Sequence, residues 1–437
     1  MKIKKKQIIG IGMLVIILML IIMLNLLNFN FEKYSYFFFI IILLISIIVI
    51  NKVDEPMFLY SVYTLTIPIE LLYSKYFNKL SNWRYSKVYE VDLFEEIIIY
   101  ILVSIIMLSI GYNLLPINYK IRKIKFRKKY LSYISNIYIF IGIINFIYIF
   151  IFYSNGLEIF YKFNYFMRKI GEEGGSTLGY TFFFPVGVYL KSYIKARENK
   201  SNTFYIILGI IFSITTGRIT RTLIFIISNI FIYNIYNKKL TKKIFFKKIL
   251  ILIVVGAIFY YVRILTSYIH YGKSAPIYEE LILLGKRIIE NGNFPNLPIL
   301  PEIFKYFDKN EFLNGRTILA IFSPKESAAF FIRDNIYKLS STEGSLPPTI
   351  YGEFYMNFGY IKSIILFFLL GILYRSLYLI YIKTNNIFIK LIYIDILTSY
   401  IMLSSKGTFS NISFLRIGLL IFTLMIVKVM TLMELKK

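Results

Sequence analysis

Arg168, Arg218, Arg221 and Arg333 stand in short polar interruptions between long apolar stretches, and Glu353 stands at the edge of another such stretch. A guanidinium is planar, permanently charged and forked, so it grips oxyanions such as phosphate in bidentate fashion without a metal. A carboxylate can take the proton from an attacking hydroxyl, a duty open to Glu353 and also to Glu343, Glu172 and Glu173. Metal chemistry has little to build on. There is no cysteine, and the single histidine, His270, sits in Tyr268-Ile-His-Tyr271 just after an apolar stretch, where an aromatic-belt role suits it. No metal, no cofactor and no nucleotide-binding glycine loop is expected.

The elements that must hold these residues are written in the composition. Of 437 residues, 57% are hydrophobic and only 17% charged, a balance that requires lipid as solvent. Runs long enough to cross the hydrocarbon core recur from end to end. Apolar windows predict spans at 7–28, 35–50, 57–73, 94–115, 131–152, 177–193, 203–217, 219–236, 249–265, 358–380, 387–404 and 411–428. The first follows Met-Lys-Ile-Lys-Lys-Lys and shows no small-residue cleavage site, so it reads as a transmembrane helix rather than a signal peptide. Pro68 and Glu70 interrupt the third. The expected fold is all-α, a polytopic membrane protein of about 12 transmembrane helices.

Charge then orients the spans. The net charge of +27 lies in short clusters between spans and not on one soluble face, which argues against nucleic acid as a partner. With the N-terminus in the cytoplasm, three clusters fall inside: Lys120 to Lys129, Lys191 to Lys200, and Lys238 to Lys248. The outward segment from Thr266 to Gly352 instead mixes Glu279, Glu280, Glu290, Glu302, Asp308, Glu311 and Asp334 with a similar number of cations. Both termini are then cytoplasmic. Residues 1–265 form nine helices with a smaller outward loop near 153–176; residues 266–357 form a large outward loop between helices 9 and 10; residues 358–437 form helices 10 to 12. Within the large loop, Pro276 to Asn291 has an amphipathic pattern suited to the membrane surface. Ser323, Pro324 and Glu326 read as a capping box opening a second loop helix, from Pro324 to about Leu339, that carries Arg333.

Two stretches resemble a known family. Ser345-Leu-Pro-Pro-Thr-Ile-Tyr-Gly-Glu-Phe-Tyr-Met-Asn-Phe-Gly-Tyr360, running into the tenth span, and the turn Thr215-Thr-Gly-Arg-Ile-Thr-Arg221 are similar to segments of the Wzy-type polymerases of oligosaccharide repeat units, which build O-antigen and related surface glycans. Some members carry an arginine, ten residues and a glycine in each of two periplasmic loops. Here Arg168 is so followed by Gly179, and Arg333 by Gly344. Chance supplies such pairs readily, so the weight lies in their falling one in each large outward loop.

The resemblance implies a GT-C-like fold in the bacterial inner membrane, with the long loop capping a cavity open to lipid. It implies transfer of the growing glycan from undecaprenyl pyrophosphate to a lipid-linked repeat unit at the periplasmic face, with membrane lipid and a chain-length regulator protein as partners. Arg168, Arg218, Arg221 and Arg333 would hold pyrophosphate and glycan with Gly179 and Gly344 beside them, and Glu353 would be the base. Ordinary readings stand alongside: solvated loop arginines at 168 and 333, snorkelling at Arg218, Arg221 and Arg416, and an interfacial carboxylate at Glu353. An O-antigen ligase shares the topology and would depend on an outward histidine, for which only His270 could serve. A flippase or transporter of the lipid-linked oligosaccharide could also show twelve spans, but such proteins usually show internal repeats and short loops.

Overall fold

A chain with lipid for solvent must satisfy its backbone hydrogen bonds within each segment, and helices do that. The computed structural model describes residues 92–114, 128–153, 176–198, 202–214, 219–236, 299–320, 327–339, 348–384, 386–398 and 414–435, with a few isolated positions besides. Every regular element among the described residues is helical. Lys128–Phe152, Thr349–Lys383 and Arg416–Glu434 are each long and apolar enough to cross a membrane; Ile99–Leu114 and Thr203–Ser213 are shorter apolar helices.

In chain order the helices are α1 (Asp92–Leu114), α2 (Lys128–Phe152), α3 (Phe184–Arg197, entered through a π-helical turn at Gly179–Phe183), α4 (Thr203–Ile214), α5 (Ile219–Tyr236), α6 (Ile299–Phe307), α7 (Arg316–Leu319), α8 (Ala328–Phe331, continued by a π-helical turn at Ile332–Ile336), α9 (Thr349–Lys383), α10 (Ile387–Ile396) and α11 (Phe414–Leu435). Eight expected spans have a helix at their place. The expected spans 7–28, 35–50, 57–73 and 249–265, and the amphipathic stretch at Pro276 to Asn291, lie outside the described residues, a few isolated positions aside. The helix Thr349–Lys383 breaks at Gly359, whose φ of 70° and ψ of −172° no helix accommodates, so its longer part stands at the expected tenth span, 358–380, and the short helix before the break is an addition to what was expected.

The helices fall into two compact units that cut across the linear division of the sequence at 265 and 357. In the first, α1 packs along α9, α6 and α7 also pack against α9, and the π-helical turn that continues α8 packs against α6. The two long helices meet where each has a glycine: a Cβ on Gly111 would collide with the Phe368 carbonyl, and one on Gly371 with the Leu108 carbonyl. Small residues let backbones approach this closely in lipid, where packing rather than water exclusion drives association. Leu108 facing Gly371 and Tyr112 facing Arg375, 5.3 Å from guanidinium to ring, make the packing parallel. That is the sense expected of the fourth and tenth spans.

In the second unit α2 packs antiparallel to α3, with Gly142 against Phe184 and Gly187 against Ile139. The Ser135 hydroxyl donates to the Gly187 carbonyl at 2.9 Å. α11 runs antiparallel to α2, through Tyr138 and Thr423 at 2.8 Å and Tyr130 donating to Glu434 at 2.5 Å. α3 and α5 are parallel, Tyr189 facing Phe225 and Ser192 bonded to Asn229 at 2.7 Å. These senses agree with alternation of the expected spans.

Candidate functional site

The first unit builds a site around Glu353. Thr349 has φ 65° and Gly359 φ 70°, so residues 349–358 form a short helix with a left-handed residue at each end. Its Gly352 lies under α6, where a Cβ would stand 2.8 Å from Leu300 and 2.9 Å from Ile303. α6 turns Ile299, Leu300, Ile303, Phe304 and Phe307 inward, and Phe304 stacks on Tyr355 at 3.6 Å. Tyr100 of α1 fills the other side, its hydroxyl donating to the Tyr351 carbonyl at 3.0 Å. Glu353, in the middle of this short helix, is 0% exposed.

A break in a helix strands carbonyls that the following turn would have engaged. A strap of residues 313–317 engages them. Leu313 N–H donates to the Met356 carbonyl at 3.0 Å and Asn314 N–H to the Asn357 carbonyl at 2.9 Å. The Asn357 side chain, 0% exposed, donates to Thr317 Oγ1 at 2.6 Å and to the Glu353 carbonyl at 2.7 Å. Its own oxygen accepts from Thr317 N–H at 3.4 Å. Phe312 closes over Gly359. The strap, the broken helix and the turn bearing Glu353 are therefore one hydrogen-bonded piece.

Arg333 lies near the start of the π-helical turn that continues α8. The helix expected from Pro324 is described from Ala328, with Ser327 at the N-cap position; Ser323, Pro324 and Glu326 lie outside the described residues. Its Phe331 ring lies 6.1 Å from both Tyr306 and Phe307 of α6. The guanidinium is forked onto Asp334, Nε to Oδ1 at 2.6 Å and Nη2 to Oδ2 at 3.0 Å, and lies 4.7 Å from the Phe330 ring. That bidentate bond holds the Asp334 carboxyl below the usual range and raises the Arg333 value. An oxyanion at Arg333 must displace this carboxylate.

Arg333 and Glu353 fall in one unit, Gly179 and Arg221 in the other. Gly179 opens the π-helical turn before α3 and is buried against Asn145, whose amide donates to the Ser176 carbonyl at 2.8 Å and accepts from Tyr180 N–H at 3.2 Å. The close approach gives this glycine a packing duty. Arg221 lies in the first turn of α5. Arg168, Arg218, Gly344, Glu172, Glu173, Glu343 and His270 lie outside the described residues.

The second unit contains a charged pair that sequence reasoning missed. Asp395 of α10, 2% exposed at its side chain, meets Arg416 of α11 at 3.1 Å. Arg416 is thus paired rather than merely snorkelling. Ser228 of α5 joins Thr398 at 3.1 Å, and Asn202, Ser192 and Asn229 form a further buried chain. An acid within an apolar span was the available signal, since such residues are rare and almost always have a stated partner.

No family model, curated protein or solved structure matches this chain.

Proposed function

We propose that this membrane-embedded protein is a polymerase of surface-polysaccharide repeat units in a bacterial inner membrane. It transfers the growing glycan from undecaprenyl pyrophosphate to a lipid-linked repeat unit at the periplasmic face, within a GT-C-like arrangement of helices. The carrying observation is the enclosed carboxylate of Glu353, set in the Gly352-Glu353 and Asn357-Phe-Gly359 segment whose sequence resembles the Wzy-type family. In the reaction, Glu353 accepts the proton of the acceptor sugar hydroxyl as the hydroxyl oxygen bonds to the anomeric carbon of the donor. The bond from that carbon to the diphosphate oxygen breaks, and the electron pair leaves on the diphosphate. Of the four arginines expected to hold the diphosphate, Arg333 lies in the same unit as Glu353 and is assigned to neutralise that charge by exchanging Asp334 for phosphate. Because Glu353 is closed to solvent, the acceptor reaches it only after a local opening of the packing around it.

Complementing a deletion strain with E353Q tests the reading. The expected surface glycan is single repeat units without polymer, restored by the wild-type gene. Full-length polymer from E353Q would remove Glu353 as base.

A flippase of the same lipid-linked unit is the second reading, favoured by the Asp395–Arg416 pair between two apolar helices, since paired ionisable residues within membrane spans mark transport pathways. It predicts a deletion strain with no surface glycan, not even single units.

A further inference from the structure

The short helix that bears Glu353 opens on a residue that suits neither its backbone nor its surroundings. Thr349 is 1% exposed, and its φ of 65° is a left-handed conformation that a β-branched side chain resists. A threonine where a helix begins ordinarily turns its oxygen onto an N–H two or three residues on. Here the Thr349 hydroxyl is buried and closes no hydrogen bond among the described residues. Glycine would take the same backbone without strain, and valine would have the same shape without a polar atom to satisfy. Two local costs therefore fall on one residue, and no bond of its hydroxyl offsets either.

The place of that hydroxyl says what it can hold. At the start of a helix the first N–H groups have no carbonyl within the helix to bond, and they leave partial positive charge there. Oxyanions bind at such ends, and a hydroxyl beside the amides adds one more donor. Glu353 follows one turn later, about 5.4 Å along the axis. Between them Gly352 is pressed against Leu300 and Ile303 of α6, which fixes the turn that carries both. Glycosyl transfer brings the acceptor oxygen to one face of the anomeric carbon as the diphosphate oxygen leaves from the other, so a proton acceptor and an anion holder are needed a short way apart. We propose that Thr349 is a diphosphate-binding residue of the Glu353 site, its hydroxyl donating to a phosphate oxygen of the lipid-linked donor beside the first amides of the helix. The local opening that admits the acceptor to Glu353 admits this diphosphate as well. The identity of the ligand rests on the polymerase reading; the buried, unbonded hydroxyl does not.

The test uses the full chain purified in neutral detergent, with farnesyl diphosphate as the probe and inorganic pyrophosphate and phosphatidylglycerol as competitors. Wild type is expected to bind farnesyl diphosphate, with inorganic pyrophosphate competing and phosphatidylglycerol not. T349V should weaken binding by about tenfold, the worth of one hydrogen bond to a charged group, while T349S keeps the hydroxyl and binds as wild type does. The thermal unfolding midpoint of T349V should be no lower than that of wild type, because the hydroxyl it loses holds nothing in the unliganded fold. A merely structural hydroxyl gives the opposite pair of results, a lowered midpoint with binding intact. Equal binding by T349V, a lowered T349V midpoint, binding by T349S as weak as by T349V, or no binding by wild type overturns the assignment. Equal competition by phosphatidylglycerol also overturns it, making the contact one with an ordinary headgroup. Polymer length in the complemented strain separates the two claims. If E353Q abolishes polymer while T349V retains full-length chains, Thr349 is discarded and the polymerase reading stands. If polymer forms without this gene, the polymerase reading fails, whatever the binding result.

Discussion

Asn357 holds together a helix that has broken two residues later, and a single side chain does this with three hydrogen bonds. Replacing it by alanine leaves the buried Thr317 hydroxyl and the stranded backbone without it, at a cost of about 1–3 kcal/mol. T317V removes only the hydroxyl and should cost less, and the double variant should cost less than the sum because the two residues share one bond. Unfolding midpoints in detergent check all three. Arg333 supplies a pH dependence. Its bond to Asp334 lowers the carboxyl value in the folded chain, so the pair stabilises above the unfolded carboxylate value of about 3.9, and the contribution is lost as pH falls through the depressed folded value. Amide exchange over residues 330–336, corrected for intrinsic rates, should be steady from about pH 7 to 5 and rise only below about 4. D334N should show the faster exchange already at neutral pH. Steady exchange in that variant would mean the pair does not order the turn.

Helices resolve into those the sequence announces and those that tertiary contacts impose. Span helices were legible because an apolar run in lipid has one way to close its hydrogen bonds: 219–236 was expected and found, and 94–115 appears as Asp92–Leu114. The short helix 349–358 was not legible, since Gly352 and Asn357 within it and Gly359 after it are poor helix formers, and packing against α6 and bonding to the strap support helix there. Asp395 hid for a different reason: one acid in an apolar run looks incidental until its partner, on another helix, is beside it. Each feature has its test. G359A must place a Cβ at a dihedral pair reserved for glycine and against the Phe312 ring, costing about 1–3 kcal/mol. G111A and G371A push α1 from α9 and should cost about 1–3 kcal/mol each through overpacking. D395A or R416A alone leaves a buried charge uncompensated, about 3–5 kcal/mol, whereas the double replacement should recover part of that loss. Thermal unfolding of the purified variants reads all of these, and a double replacement no better than either single would show that the pair is not a coupled unit.

Across the whole molecule, the direction of each helix carries information that no single helix does. α1 and α9 are parallel, α3 and α5 are parallel, and α2 is antiparallel to both α3 and α11. Each sense follows if every expected span crosses the membrane once, because spans an even number apart in sequence then run the same way. Which side is which is decided separately, by the placement of lysine and arginine. The cluster at Lys120 to Lys129 contains no acid, and Lys128 pairs with Glu198 beyond the end of α3, so these ends share one side. The chain has no cysteine, so single-cysteine variants can be labelled without background. Cysteine at Lys309 or Lys338, both exposed, should react with a membrane-impermeant maleimide in intact cells. Cysteine at Lys129 or Lys200, also exposed, should react only after permeabilisation. The reverse pattern would put Arg333, Thr349 and Glu353 on the cytosolic side, away from any glycan assembled outside, and no choice of base or diphosphate ligand could then rescue the polymerase reading.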